Sequence, residues 1–151
     1  MPYDTVIYGY CNSTAQYYAE EAYRSFVALD PENEGKLRTE PLIISDGTRY
    51  SKYPIESTAE IYKVPDGVTW IDRNAFKNAE NLKEVILPEE LEYIGHDAFV
   101  NCPMLKEVTI PDGVTEIGVD AFDNTHKKII VQCSVGTYTE QYCRNNQIKY
   151  Q

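Results

Sequence analysis

The sequence predicts a strand-rich α/β solenoid, because one phrase recurs three times at a fixed spacing. It begins at Val64 as VPDGVTWIDRNAF, at Leu87 as LPEELEYIGHDAF and at Ile110 as IPDGVTEIGVDAF, so each copy starts 23 residues after the previous one. A second phrase follows the first two copies, as NLKEVIL and MLKEVTI. A period between about 20 and 50 residues is typical of stacked supersecondary units, which can bury their apolar sides only against one another. We therefore expect about four coils of 23 residues around one continuous core.

The apolar positions of the repeat predict the course of each coil. In the second phrase the last two apolar residues alternate, as Val85 and Leu87 do, which is typical of a strand with one buried face. The Pro-Asp-Gly at 65–67 and at 111–113 has the chemistry of a turn. We expect each coil to contain a short strand, a helical turn around its Ala-Phe pair, a second strand and a corner. The phenylalanines of these pairs should stack as a buried aromatic column of Phe76, Phe99 and Phe122.

The repeat resembles that of the bacterial BspA-like leucine-rich repeat proteins. Their pattern, IPDGVTxIGxxAFxxCxxLKxVxI, matches residues 64–133 closely. The departures are small and lie at Ala79, Glu89, Glu90, Thr125, Lys127 and Lys128. The resemblance implies a right-handed leucine-rich repeat solenoid. It also implies a protein that is exported to the bacterial surface and adheres to host or neighbouring-cell proteins.

The first 40 residues lie outside the repeat. Residues 1–29 predict a cap-like βα segment, with a short strand at 5–8 and a helix that begins after Ser13, a favourable N-cap residue. Residues 30–40 are charged, contain Pro and Gly and have no apolar period, so they predict a linker.

The predicted array covers residues 41–133. Its first coil, 41–63, is atypical, which is common for a terminal repeat. Asp46-Gly47 lies between two β-prone runs and predicts a hairpin, and the segment IYKV at 61–64 is in register with EVIL at 84–87. The remaining coils are expected at 64–86, 87–109 and 110–133.

Residues 134–151 are expected to form a C-terminal cap. The resemblance implies that a strand, a helix and a short strand close the array here, since the last coil would otherwise expose its core and a strand edge. The chain start has the same layout at an offset of 124 residues, matching Ser13 with Thr137, Tyr18 with Tyr142, Ala19 with Cys143 and Phe26 with Tyr150. Two explanations are open. The first segment closes an earlier array, which we favour, or it folds back and shields the first coil of this one.

The composition argues against nucleic acid and membrane partners. The net charge of −10 is spread evenly and no basic stripe is present, whereas nucleic-acid-binding surfaces are basic. The sequence contains no run of about 18 apolar residues, so it does not predict a membrane-spanning helix. The chain start lacks the basic region and the long apolar stretch of a signal peptide, so export would depend on sequence outside this chain. The 13 tyrosines are suited to a protein-binding surface, although most of them are expected to cover the coil edges.

The sequence contains no pattern that indicates a catalytic site. His96 occupies a variable position of the repeat and His126 lies in the degraded corner of the last coil, so both are expected on the solvated surface. Cys102 aligns with Ala79 in a small inward-facing position, which favours a buried structural thiol over a nucleophile. We therefore predict a protein that is not an enzyme and that uses no cofactor.

Metal binding is not indicated either, because Cys133, Cys143 and His126 do not have the spacing of a zinc site. The two cysteines could form a disulfide within the cap of an exported protein. Against the bridge, side chains on a strand and on a helix can point apart.

Binding sites of repeat proteins usually lie on outward positions of successive coils. One candidate column comprises Trp70, Tyr93 and Glu116, and Trp and Tyr are favoured as binding anchors. An equally weighted alternative is that Trp70 covers the opening coil near Tyr50 or Tyr53. The second column holds the outward residues of the L-x-x-V-x-L phrase, namely Glu84, Ile86, Glu107, Thr109, Ile130 and Gln132.

For this second column a solvated surface is favoured over a binding site, although the core does not explain its two isoleucines. The predicted function is protein recognition by a cell-surface module. The alternatives are a structural spacer within a larger secreted protein and, more weakly, carbohydrate binding through the aromatic residues.

Overall fold

The fold is a stack of coils in which each regular coil contributes one short strand to each of two sheets, while the opening coil contributes two strands to the first sheet. The computed structural model describes residues 7–9, 26–28, 41–44, 47–54, 57–125 and 129–151. In chain order, the described elements are β1 (Ile7–Gly9), β2 (Phe26–Ala28), β3 (Leu42–Ile44), β4 (Arg49–Lys52), β5 (Ile61–Lys63), β6 (Trp70–Ile71), β7 (Glu84–Ile86), β8 (Tyr93–Ile94), β9 (Glu107–Thr109), β10 (Glu116–Ile117), β11 (Ile130–Gln132), α1 (Tyr138–Asn145) and β12 (Lys149–Tyr150). The strand-rich solenoid predicted from the repeat is confirmed.

The first sheet has the strand order β10-β8-β6-β4-β3, and the second has the order β12-β11-β9-β7-β5. Neighbouring strands within both sheets are parallel, except that β3 is antiparallel to β4. The second sheet keeps the sequence period in space, since Tyr62 pairs with Val85 and Val85 with Val108, each 23 residues apart. The hairpin expected around Gly47 is also confirmed by the β3–β4 pairing.

The core lies between the two sheets and is centred on the predicted aromatic column. Phe99 is fully buried and stacks on Phe76 at a centroid distance of 4.8 Å and on Phe122 at 5.2 Å. Tyr50 and Tyr53 are also buried and stack on Phe76 at 5.0 and 5.3 Å. The column therefore continues into the opening coil, with tyrosines in place of phenylalanine.

The segment around each Ala-Phe pair is a run of tight turns instead of the expected helical turn. Ala75 N–H donates to Asp72 O at 3.2 Å and Ala79 N–H to Phe76 O at 3.1 Å, both across three residues. Asn74 and Asn78 have φ values of 59° and 64°. Asn and Asp enter this left-handed region more readily than other non-glycine residues, but the conformation interrupts a right-handed helix. The same two positions of the later coils, Asp97, Asn101, Asp120 and Asn124, also have positive φ.

After β11 the chain packs α1 against the core and adds β12 to the second sheet. Thr137 is the N-cap residue of α1, and its hydroxyl accepts a hydrogen bond from Glu140 N–H at 3.2 Å. Tyr142 contacts Phe122 edge to face at 6.3 Å, and Cys143 is buried in the core. After the helix, β12 pairs in parallel with β11.

Near the chain start, β1 pairs in parallel with β2. The predicted strand at 5–8 overlaps β1. The predicted helix after Ser13 and the predicted linker at 30–40 lie outside the described residues.

Candidate binding surface

The outward positions of the first sheet form a column across four coils, exposed at three of them and half-buried at Tyr93. Arg49 pairs with Trp70, Trp70 with Tyr93 and Tyr93 with Glu116 in the strand register. The following residue of each strand points inward and is buried, as Ile71 is. We call Arg49, Trp70, Tyr93 and Glu116 the aromatic column.

Trp70 is held between its two neighbours in this column. Its ring stacks on Tyr93 with a centroid distance of 3.7 Å and an interplanar angle of 18°. From the strand on the other side, the Arg49 guanidinium carbon lies 5.4 Å from the Trp70 ring centroid, which is within the range of a cation–π contact. Trp70 is still 38% exposed. The column thus presents a large aromatic side chain whose position is already set by its neighbours.

A buried carboxylate lies beneath the aromatic column. Arg49 Nε donates to Asp72 Oδ1 at 2.5 Å, and the Asp72 side chain is only 4% exposed. Burial raises the pKa of Asp72 from its usual value, while Arg49 and hydrogen bonds with the Ser51 and Trp70 side chains act to lower it. This network orients both Arg49 and Trp70 from below.

Asp72 occupies a position that is glycine in the next two coils. A Cβ added to Gly95 would lie 2.5 Å from Arg73 N, and one added to Gly118 would lie 2.4 Å from His96 N. These coils have no room for a side chain, because the preceding coil runs directly alongside. At Asp72 the preceding coil is the opening one, and there the carboxylate is accommodated beside Arg49. Arg49 and Asp72 were not among the candidate residues predicted from the sequence. Asp72 could have been found there, because it replaces the glycine that the next two copies of the repeat have at this position.

Trp70 faces the opening coil, as the alternative raised by the sequence expects, but its neighbour there is not Tyr50 or Tyr53. Tyr50 and Tyr53 are in the core, at 0% and 2% exposure, so they do not form an outer surface that Trp70 could cover. The residue of the opening coil that faces Trp70 is Arg49.

The other candidates from the sequence lie on the second sheet. In the strand register Glu84 is adjacent to Glu107 and Glu107 to Ile130, while Ile86 is adjacent to Thr109 and Thr109 to Gln132. All six side chains are half-buried. Gln132 Nε2 donates to Glu107 Oε1 at 3.0 Å, so part of this surface satisfies its own polar groups.

The nine candidates therefore do not form one surface. Trp70, Tyr93 and Glu116 belong to the first sheet, and the other six belong to the second. Inward residues of both sheets, such as Ile94 and Val108, meet in one core. The outward residues of the two columns therefore lie on different sheets, and binding to one column does not require contact with the other.

The cysteines in the described part of the chain are unbridged thiols, namely Cys102, Cys133 and Cys143. Burial raises the pKa of Cys102 to about 12, and it raises that of Cys143 to about 12 as well, with Cys133 as a further cause. Thiols with such values are poor nucleophiles at neutral pH. The Cys102 thiol contacts Phe76 O at 3.1 Å, as expected for a structural residue.

The histidines, a metal site and a membrane-spanning helix can be assessed for the described residues. His96 is exposed there, whereas His126 lies outside them. Three or more His, Cys, Asp or Glu side chains do not come together as a metal site within the described ranges. Within the same ranges, no helix has both the length and the apolar character needed to cross a membrane.

The chain has a similar protein among solved structures but none among curated proteins. Among solved structures, the chain is similar to a leucine rich cell surface protein from Faecalibacterium prausnitzii A2-165, with 22% identity and a TM-score of 0.42. The match covers 61% of this chain and 31% of that one, so this chain spans about a third of its length.

The family comparison covers more of the chain than the repeat phrases alone. The model of the BspA type leucine rich repeat region matches residues 53–150 in six copies, which includes the C-terminal cap. Because this match extends over more than half of the sequence, the chain belongs to the BspA type leucine-rich repeat family.

Proposed function

We propose that this chain is a non-enzymatic protein-binding module of an exported bacterial surface protein, and that it serves in adhesion to host or neighbouring-cell proteins. The observation that carries the proposal is the aromatic column, in which an exposed Trp70 is fixed between Arg49 and Tyr93. Family membership supports the surface location, since leucine-rich repeats of this type are expected on exported proteins.

The column has the composition of a binding hot spot. Trp, Tyr and Arg are the residues whose truncation most often costs more than about 2 kcal/mol of binding free energy. Side chains that are already ordered before binding lose less conformational entropy on association. Trp70 is ordered by the Tyr93 stack and Arg49 by its ion pair with Asp72, so both have this advantage.

The two ends of the column carry opposite charges, which indicates the chemistry of the partner. Arg49 is at one end and the exposed Glu116 is at the other, three strands away. A complementary protein surface would place an acidic group near Arg49, an apolar or aromatic contact at Trp70 and a basic group near Glu116. The six outward residues of the second sheet remain a secondary candidate, because they are half-buried and partly bonded to one another.

The alternative of carbohydrate binding is less well supported by the same geometry. A sugar ring stacks on an open aromatic face, but Trp70 has Tyr93 on one side and Arg49 on the other. The alternative of a structural spacer remains, and it predicts no dependence of any binding on the column.

The test is the binding of the purified protein to immobilised extracellular-matrix proteins and to intact host and bacterial cells. We expect Trp70→Ala to weaken binding about 30-fold, corresponding to about 2 kcal/mol. The matched control is Ile86→Ala on the second sheet, which should leave binding unchanged. A thermal melt of each variant separates loss of contact from loss of fold.

Each other outcome counts against the proposal. Binding that survives Trp70→Ala and Tyr93→Ala but is lost with Ile86→Ala would place the contact on the second sheet. A wild-type protein that binds neither matrix proteins nor cells would favour the spacer, and binding confined to a glycan array would favour carbohydrate recognition.

A further inference from the structure

The two strands near the chain start repeat the pairing found in the C-terminal cap. Ile7 pairs in parallel with Phe26, and Val131 pairs in parallel with Tyr150. Each pair of partners is separated by 19 residues in the sequence. A parallel pair needs a crossover connection, so the same separation implies crossovers of the same length.

The sequence correspondence and the strand register agree at one offset. Ile7 lies 124 residues before Val131, and Phe26 lies 124 residues before Tyr150, which is the offset that also relates Ser13 to the N-cap residue Thr137. The offset of 124 residues follows from the residue types, whereas the β1–β2 and β11–β12 pairings are properties of the backbone. Their agreement is a second, independent observation that the two segments are units of one kind.

In the C-terminal unit, the first strand has two neighbours. On one edge β11 pairs with β12, and on the other edge it pairs with β9 of the last coil. Ile110 N–H, which follows β9, donates to Gln132 O at 3.0 Å, and Ile130 N–H donates to Lys106 O at 2.8 Å. The strand therefore joins the cap to the array that it closes.

The corresponding strand β1 has only one neighbour among the described residues, because β1 and β2 form a sheet of two. In the strand orders of the described residues, β1 and β2 belong to neither sheet of the array from residue 41, whose first sheet ends in β3, antiparallel to β4. Lys52 adds a contact at this end, as its buried ammonium donates to Asn74 O at 3.1 Å.

We propose that residues 1–29 are the C-terminal cap of a preceding leucine-rich repeat array, and that the second edge of β1 accepts a parallel strand from the last coil of that array. The partner is thus another BspA-type coil upstream in the same protein. Residues 30–40 then link two arrays, of which the second consists of coils 41–63, 64–86, 87–109 and 110–133 with the cap 134–151. This inference does not depend on which column binds a partner.

The direct test is a cap exchange in the full chain. Residues 130–151 are replaced by residues 6–27, which is the same length at the offset of 124. The control has the same inserted residues in shuffled order. We expect amide hydrogen exchange in β9 to be about tenfold or more slower in the protein with the replaced cap than in the control, because a cap protects the last strand from opening.

A second variant with Ala19→Cys and Phe26→Tyr in the inserted cap restores the residue types that contact this array. If neither variant protects β9 better than the shuffled control does, the proposal is wrong.

A second measurement distinguishes the proposal from shielding of this array by the first segment. Ile7→Pro in the full chain removes a backbone donor from β1. If the segment caps a preceding array, exchange in β3 and β4 should be unchanged. Exchange in β3 and β4 that becomes about tenfold faster would show that residues 1–29 shield the opening coil, and would overturn the proposal.

Discussion

Replacement of Gly95 by alanine tests how tightly the coils are stacked. The added Cβ would lie 2.5 Å from Arg73 N and 2.6 Å from the Asp72 carbonyl carbon, both backbone atoms of the preceding coil. Ordinary contact of a Cβ begins near 3.4 Å. The two coils would therefore have to separate by about 0.9 Å at this point, against a packed interior of low compressibility.

The separation has a calculable consequence for the strand ladder. Gly95 N–H donates to Ile71 O at 2.9 Å, and the shift would lengthen this distance to about 3.8 Å, outside the range of a hydrogen bond. Overpacking costs about 1–3 kcal/mol and the lost hydrogen bond about 1 kcal/mol. We expect Gly95→Ala to lower the free energy of unfolding by about 2–4 kcal/mol.

The assay is urea denaturation followed by circular dichroism, with Gly113→Ala as the matched control. The nearest atom to a Cβ at Gly113 is Leu91 O at 3.3 Å, so this variant should change the free energy of unfolding by less than about 1 kcal/mol. Equal effects of the two substitutions, or a loss below about 1 kcal/mol for Gly95→Ala, would refute the close-stacking argument.

Three further predictions concern the core and the two ends of the array. Phe99→Ala should lower the free energy of unfolding by about 3–5 kcal/mol in the same urea assay, because it removes a fully buried ring from the middle of the column, whereas Met104→Ala at an exposed position should change it little. Burial lowers the pKa of Lys52 to about 8, so the unfolded state binds its proton more tightly and stability should rise with pH between about 8 and 10.5. Lys52→Met should abolish this rise. An equal increase of the free energy of unfolding with pH in the wild-type protein and in the variant would contradict the prediction. A hydrogen bond from Gly136 N–H holds the pKa of Glu140 in the folded protein below its usual value of 4.5. The ionised Glu140 therefore stabilises the fold above pH 4.5, and this contribution is lost as the pH falls through the lowered pKa. Glu140→Gln should remove this acid-dependent loss, as measured by thermal melts from pH 5 to pH 2, and a wild-type profile that is unchanged by the substitution would argue against it.

The repeat made most of the fold predictable. In a solenoid the residue one period away in the sequence is also the neighbour in space, so alignment of the copies is equivalent to a list of contacts. Phe76, Phe99 and Phe122 stack as expected for this reason, and Val85 pairs with Val108 for the same reason.

The expectations that changed depend on backbone angles or on departures from the repeat. The helical turn became a run of tight turns, because Asn74 and Asn78 adopt positive φ. The contact of Arg49 with Trp70 could not be predicted from the repeat, because the two residues are 21 positions apart and the period is 23. Asp72 was not recognised as a special position because the comparison of the copies centred on the matching Ile71 beside it. It nevertheless stands where the other coils have glycine.

The sequence by itself determined the period, the buried column and the family, because these depend on residue types that recur at a fixed spacing. Only the tertiary structure decided that the candidate binding residues belong to two different sheets, and that Trp70 is fixed by Arg49, Tyr93 and Asp72. The physical reason is that each coil turns a corner between its two strands. The direction of a side chain beyond a corner depends on the backbone angles of the turn and on the neighbouring coil, which an apolar pattern does not encode.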